Sequence, residues 1–142
     1  MVGIARREDK LKHWCETCEG ETSYYLADVS NRKNIKNIVL DIIDKEGEPD
    51  ILVNAAGINT REHADDVTLE GWDKTLDLNL STPFFMAQSV IEGMKKKNWG
   101  RIINYASLAS RRALPSSISY GASKGGIEQL TRAMAEAWSK YG

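Results

Sequence analysis

The sequence predicts an α/β fold built on a parallel sheet. Three observations carry this expectation. Short apolar runs alternate with helical patterns of roughly 10 to 17 residues, the rhythm of βαβ units, which implies a parallel sheet with right-handed crossovers. Ile35, Ile38, Val39, Ile42 and Ile43 recur at helical spacing, so one helix buries a single stripe. Polar residues follow the apolar runs: Asp28 the second, Asn54 and Gly57 the third, Ser107 the fourth. Parallel sheets of this kind bind ligands at the carboxyl ends of their strands.

Each element follows from its residues. Val2 to Ala5 is a short apolar run. Glu8 to Cys18 is helix-like, with Leu11, Trp14 and Cys15 on one face. Ser23 to Leu26 is a strand leading to Asp28 and Val29. Ser30 is placed to cap the next helix, and Lys45, Gly47 and Pro49 end it. Asp50 to Val53 is continuously apolar after its first residue, as expected of a strand buried on both faces. A polar loop runs from Asn54 to Val67. Thr68 caps a helix through Trp72 and Leu76, and a separate, longer helix runs from Ser81 to Lys97, with Pro83 tolerated in its first turn. Arg101 to Tyr105 is a fourth strand. Ser119 to Tyr141 is the last helix, with Ile127, Leu130, Met134 and Trp138 on one face.

Composition narrows the function classes. The 142 residues are 42% hydrophobic and 27% charged, with 11 Gly and 3 Pro, which excludes disorder and collagen-like repeats. Nineteen basic residues against twenty acidic ones give no charge excess to steer the chain onto nucleic acid or an anionic membrane. No apolar run approaches the roughly 18 residues of a membrane span. Met1 to Arg7 lacks the apolar stretch of a signal peptide, so the expected compartment is the cytoplasm and the expected ligands are small molecules. No cluster has metal-ligand spacing. Cys15 and Cys18 form a lone C-x-x-C at the end of a helix, where they read as ordinary reduced cysteines. His63 reads as a surface residue. Asn79-Leu80-Ser81 fits a glycosylation sequon but lacks the secretory context that would use it.

The chemistry lies later in the chain. Tyr120 and Lys124 are four apart on one helix and share a face. A free phenol is only about 0.1% ionised at pH 7. An ammonium beside it stabilises the phenolate, which makes the phenol a usable general acid and base. Ser107 stands thirteen residues before Tyr120, at the end of a strand, and Asn79 is a polar residue in an otherwise apolar helical stretch. Gly57 permits close backbone approach to a ligand.

With Asp28-Val29, Asn54-Ala55-Ala56-Gly57, Asn79, Ser107 and Tyr120-x-x-x-Lys124 in order, the chain resembles a short-chain dehydrogenase/reductase over nearly its whole length. The resemblance implies a Rossmann-like, doubly wound parallel sheet. It implies that Tyr120 is the acid/base for interconverting a ketone and a secondary alcohol, that Lys124 supports Tyr120 and holds the nicotinamide ribose, that Ser107 holds the substrate oxygen, and that Asn79 supports a proton-relay water. Asp28 and Val29 would meet the adenine ring, and Asn54, Ala55, Ala56 and Gly57 would line the cofactor. Arg6, with Arg7, follows the first run where no acid stands, and guanidinium suits a phosphate, so NADP is favoured over NAD. Stretches around Gly57 and Ser107 are similar to gluconate 5-dehydrogenases, with 3-oxoacyl-carrier-protein reductases as the near alternative. Arg61, Arg111 and Arg112 are the candidates for a substrate carboxylate, with a solvated surface as the plainer reading of all three.

The resemblance also implies that residues 1–142 are a partial domain. The T-G-x-x-x-G-x-G turn that binds pyrophosphate is absent, since Gly3 and Gly20 have the wrong spacing, and the strands that follow the Tyr120 helix in the family are missing. Without the first strand, which sits centrally in the order 3-2-1-4-5-6, two neighbours lose their shared partner. The expectation is a fragment of an oxidoreductase whose full-length form is a homo-oligomer. The alternative is a non-catalytic remnant that acts as a binding or dimerising module.

Overall fold

The computed structural model describes residues 1–142. Four strands form: β1 (Val2–Ala5), β2 (Ser23–Leu26), β3 (Ile51–Asn54) and β4 (Arg101–Asn104). Five α-helices connect and flank them: α1 (Glu8–Thr17), α2 (Ile35–Glu46), α3 (Leu69–Leu76), α4 (Thr82–Lys97) and α5 (Ile118–Trp138). β1 pairs with β2 and β3 with β4, both in parallel. The result is two two-stranded sheets. β1 and β3 therefore each keep an unpaired edge, as expected when the strand between them in a doubly wound order is absent.

One core serves both sheets. Ile35 and Val39 of α2 meet Met86, Val90, Ile91 and Met94 of α4, and Ile4, Leu52 and Ile102 from three different strands pack on them. The opposite face of β1 belongs to α1. A Cβ on Gly3 would come within 2.7 Å of the Trp14 ring, so glycine is what lets that helix close on the strand. Gly3 and Ile4 face opposite ways because side chains alternate along a strand. Ile35 is 1% exposed at the centre of the core. Its truncation to Ala is expected to cost about 3 kcal/mol, read as a lower urea midpoint; a loss under about 1 kcal/mol would place the core elsewhere.

Four expectations need correction. β3 is not buried on both faces: Leu52 is covered, but Ile51 and Val53 are 52% and 49% exposed. No helix lies over that face of β3 and β4, whereas α1 covers β1. Ser30 caps no helix. Its hydroxyl donates to Asp28 Oδ1 (2.7 Å), a 3₁₀ turn over Arg32–Asn34 intervenes, and Asn34 precedes α2 without a side-chain cap. The last helix ends at Trp138, and Ser139–Tyr141 is a 3₁₀ turn. Finally, α3 and α4 are not separate helices. A π-helical turn, Asp77–Ser81, joins them into one continuous run. Pro83 supplies the reason: it has no N–H for the carbonyl four residues back, at Asn79, and its ring crowds that carbonyl. A wider turn relieves both, and such turns gather at functional sites.

Candidate active site

The carboxyl ends of β3 and β4 open into a cavity of about 590 Å³, lined in part by Ala55, Gly57, Ile58, Ser107, Tyr120 and Lys124. Tyr120 lies in the first turn of α5, where unpaired N–H groups give the helix a positive end. Lys124 is one turn further and buried. Its Nζ lies 5.7 Å from the centre of the Tyr120 ring and donates to the Tyr105 carbonyl at 2.6 Å. That carbonyl takes one of the three donors of the ammonium.

Ser107 lies three residues beyond β4 and caps a 3₁₀ turn, Leu108–Ser110. Its hydroxyl oxygen accepts from the Ala109 N–H (3.2 Å) and keeps its own proton to donate. Ser110 fixes this turn on α5. Its hydroxyl accepts from the Ser107 N–H (3.2 Å) and donates to the Lys124 carbonyl (2.7 Å).

Asn79 sits within the π turn, 1% exposed. Its Oδ1 accepts from the Ile58 N–H (2.9 Å), while its Nδ2 donates to the Ile58 carbonyl (2.8 Å) and to Ser123 Oγ (3.1 Å). One side chain thus ties the loop after β3 to α5. A Cβ at Gly57 would stand 3.3 Å from Asn79 Oδ1, so glycine keeps this junction tight.

The adenosine-side candidates lie apart from the cavity lining, at the ends of β1 and β2. Arg6 Nη1 is 3.7 Å from Asp28 Oδ2, with both side chains largely in solvent. Hydrogen bonds from the Ser30 hydroxyl and N–H, with the Arg6 charge beside them, hold the Asp28 carboxyl below the usual carboxylate range. Two predicted cofactor residues turn inward. The Val29 side chain packs on the core and its carbonyl accepts from Thr82 Oγ1 (2.9 Å), which leaves Asp28 as the side chain presented there. Asn54 donates to Asn104 Oδ1 (2.9 Å) and to the Pro83 carbonyl (3.4 Å); its side chain joins strands and helix instead of facing the cavity. Ala55 lines the cavity, and Ala56 is not part of its lining.

Of the three arginines considered, Arg61 lines the cavity. Arg111 pairs with Glu128 (3.2 Å) on the surface, and Arg112 is exposed. Sequence reasoning passed over Ile58, which acts through its backbone, and Asn59, Glu62, Ser110 and Ser123, which act through hydroxyl, amide and carboxylate contacts that no spacing rule reveals. Cys15 and Cys18 are free thiols, and His63 is exposed. No helix is long and apolar enough to cross a membrane.

The residues present fit the two ends of a dinucleotide. A buried ammonium with donors to spare suits ribose hydroxyls, and the exposed guanidinium at the end of β1 suits a phosphate.

Comparison with known proteins places this geometry. A family model described as short chain dehydrogenase matches residues 1–142. An NAD-dependent glycerol dehydrogenase of Listeria innocua is 40% identical over 114 residues, which cover 80% of this chain and 45% of that protein. A D-beta-hydroxybutyrate dehydrogenase of Rhizobium meliloti is 39% identical over 116 residues, 82% of this chain and 45% of the relative. Among solved structures, a gluconate 5-dehydrogenase from Burkholderia cenocepacia in complex with NADP and tartrate matches with a TM-score of 0.90 and 30% identity, covering 99% of this chain and 56% of that one. The chain spans about half the length of the relatives it matches.

Proposed function

The chain belongs to the short-chain dehydrogenase family, and on that premise we propose that it interconverts a ketone and a secondary alcohol on a sugar-acid skeleton. The observation that carries the acid is Arg61, a guanidinium on the lining of the same cavity as Ser107, Tyr120 and Lys124. A guanidinium reads a carboxylate with two parallel hydrogen bonds. The tartrate held by the Burkholderia gluconate 5-dehydrogenase is itself a hydroxy acid.

In reduction, Tyr120 delivers its phenolic proton to the carbonyl oxygen, and in oxidation it takes the proton back. The Lys124 ammonium and the positive end of α5 stabilise the phenolate left behind. Ser107 donates to the same substrate oxygen. Asn79 holds Ile58 against α5 and so fixes the cavity wall. Lys124 would hold the nicotinamide ribose, Arg6 the phosphate at the adenosine end and Asp28 the adenine side, which favours NADP over NAD. When bound, the nicotinamide supplies or accepts the hydride.

The test is a substrate panel with NADPH: keto-sugar acids against acetoacetyl thioesters. Consumption of NADPH with the keto acids supports the reading. Turnover of thioesters alone would overturn it in favour of the acyl-carrier alternative. Arg61→Ala is expected to raise KM for the keto acid by about 10- to 100-fold, the range of a lost hydrogen bond to a charged group, with kcat nearly unchanged.

A further inference from the structure

Arg61 occupies an unusual backbone state: its φ is +56°. A non-glycine residue in the left-handed region persists only when its surroundings hold it there, and the loop is anchored on both sides of Arg61. On one side, Asn59 Oδ1 accepts from the Arg61 N–H (3.1 Å) while its Nδ2 donates to Ser117 Oγ (3.2 Å). Ser117 immediately precedes α5 and in turn donates to the Pro115 carbonyl. The loop is thereby joined to the helix that carries Tyr120.

On the other side, Glu62 forms a second anchor. Its Oε2 accepts from Thr60 Oγ1 (2.8 Å), and its Oε1 accepts from Thr68 Oγ1 (2.7 Å) and the Thr68 N–H (3.3 Å). Thr68 is the cap of α3, accepting from the Gly71 N–H (3.0 Å). The Glu62 carboxylate lies against Gly71 so closely that any Cβ there would overlap it. The Thr68 and Thr60 hydrogen bonds hold the Glu62 carboxyl below the usual range, so it is ionised at neutral pH. Arg61 therefore stands between one tether to α5 and another to α3.

We infer that Glu62 and Asn59 are positioning residues that set substrate specificity through Arg61, by fixing its guanidinium relative to Tyr120. This rests on the sugar-acid reading above. Neither residue needs to meet the substrate. Each removes backbone freedom that Arg61 would otherwise have to lose on binding.

The test compares binding of D-gluconate with that of D-sorbitol, which replaces the carboxylate by a neutral hydroxymethyl group, measured by calorimetry with NADPH present, the reduced cofactor, which cannot accept a hydride from either alcohol. Glu62→Ala and Asn59→Ala are each expected to weaken gluconate about tenfold and to leave sorbitol within twofold. Glu62→Gln, which keeps the shape and an acceptor, is expected to restore most of the loss, and it serves as the second probe should the alanine variant fold poorly. In an Arg61→Ala background, Glu62→Ala should have no further effect on gluconate, because the two act as one unit. Equal loss for gluconate and sorbitol, or additive effects in the double variant, would overturn the inference while leaving the role of Arg61 intact. Gluconate binding that is absent, or indifferent to Arg61→Ala, would overturn the sugar-acid reading and this inference with it.

Discussion

Tyr120→Phe is expected to lower kcat by about 10²- to 10⁴-fold, the contribution of a positioned general acid. Phe keeps the half-buried ring over the cavity and deletes only the hydroxyl. Substrate and dinucleotide binding should therefore change little, and the melting temperature should stay within a few degrees. The comparison that isolates the proton is Lys124→Met. It removes the charge 5.7 Å from the ring centre and, on the proposed scheme, a ribose contact as well, so it should impair both kcat and cofactor binding. Steady-state kinetics with fluorescence titration of NADPH separate the two outcomes. A Phe variant that keeps a tenth or more of the activity would remove Tyr120 from the chemistry.

Asn79→Ala is expected to cost about 3 kcal/mol of stability. The side chain makes three hydrogen bonds inside the protein, and its loss strands the Ile58 N–H and carbonyl. Each buried group left without a partner costs about 1–3 kcal/mol. Ile58 is only half-buried, so water recovers part of this and the sum lies below the maximum. For a chain of this length the loss corresponds to roughly 10 °C in Tm, measurable by circular dichroism. Asn79→Asp should be at least as damaging, because a carboxylate presents an acceptor to the Ile58 carbonyl where an N–H now donates. A fall of less than about 3 °C for Asn79→Ala would show that the junction between the β3 loop and α5 is held by other contacts.

The elements that were legible in the sequence are those with a local cause. The stripe from Ile35 to Ile43 buries Ile35, Val39 and Ile42 as its period requires. Thr68 caps α3 through its own hydroxyl. Gly47 follows α2 at a φ of +85°, the conformation glycine tolerates best. The errors share another origin. Ser30 had an adequate helical cap in sequence terms, but Asp28 competes for its hydroxyl. The face of Ile51 and Val53 depends on whether a helix lies above it, which no property of four apolar residues records. The π turn around Asn79 reflects a conflict between Pro83 and the helix that encloses it.

The candidate site divides in the same way. Helical spacing put Tyr120 and Lys124 on one face, and the structure brings both to one cavity lining with Ser107, while Asn79 is buried in the π turn. The resemblance placed Asn54 and Val29 at the cofactor; in the tertiary structure both side chains turn inward, where an amide and an apolar group satisfy neighbouring strands and core.

The sequence by itself determined the four strands, the amphipathic helices and the residue types available for catalysis. These depend on periodicity, capping and chemical kind, which are properties of neighbours along the chain. Only the tertiary structure decided that Arg61 and not Arg111 lines the cavity, that Asn59 joins the Arg61 loop to Ser117 at the start of α5, and that Asn79 joins the β3 loop to α5. The two junctions with α5 rest on hydrogen bonds between segments remote along the chain, 58 residues apart for Asn59 and Ser117 and 44 for Asn79 and Ser123. Such pairings are selected by the packing of whole elements, and local preference has no term for them.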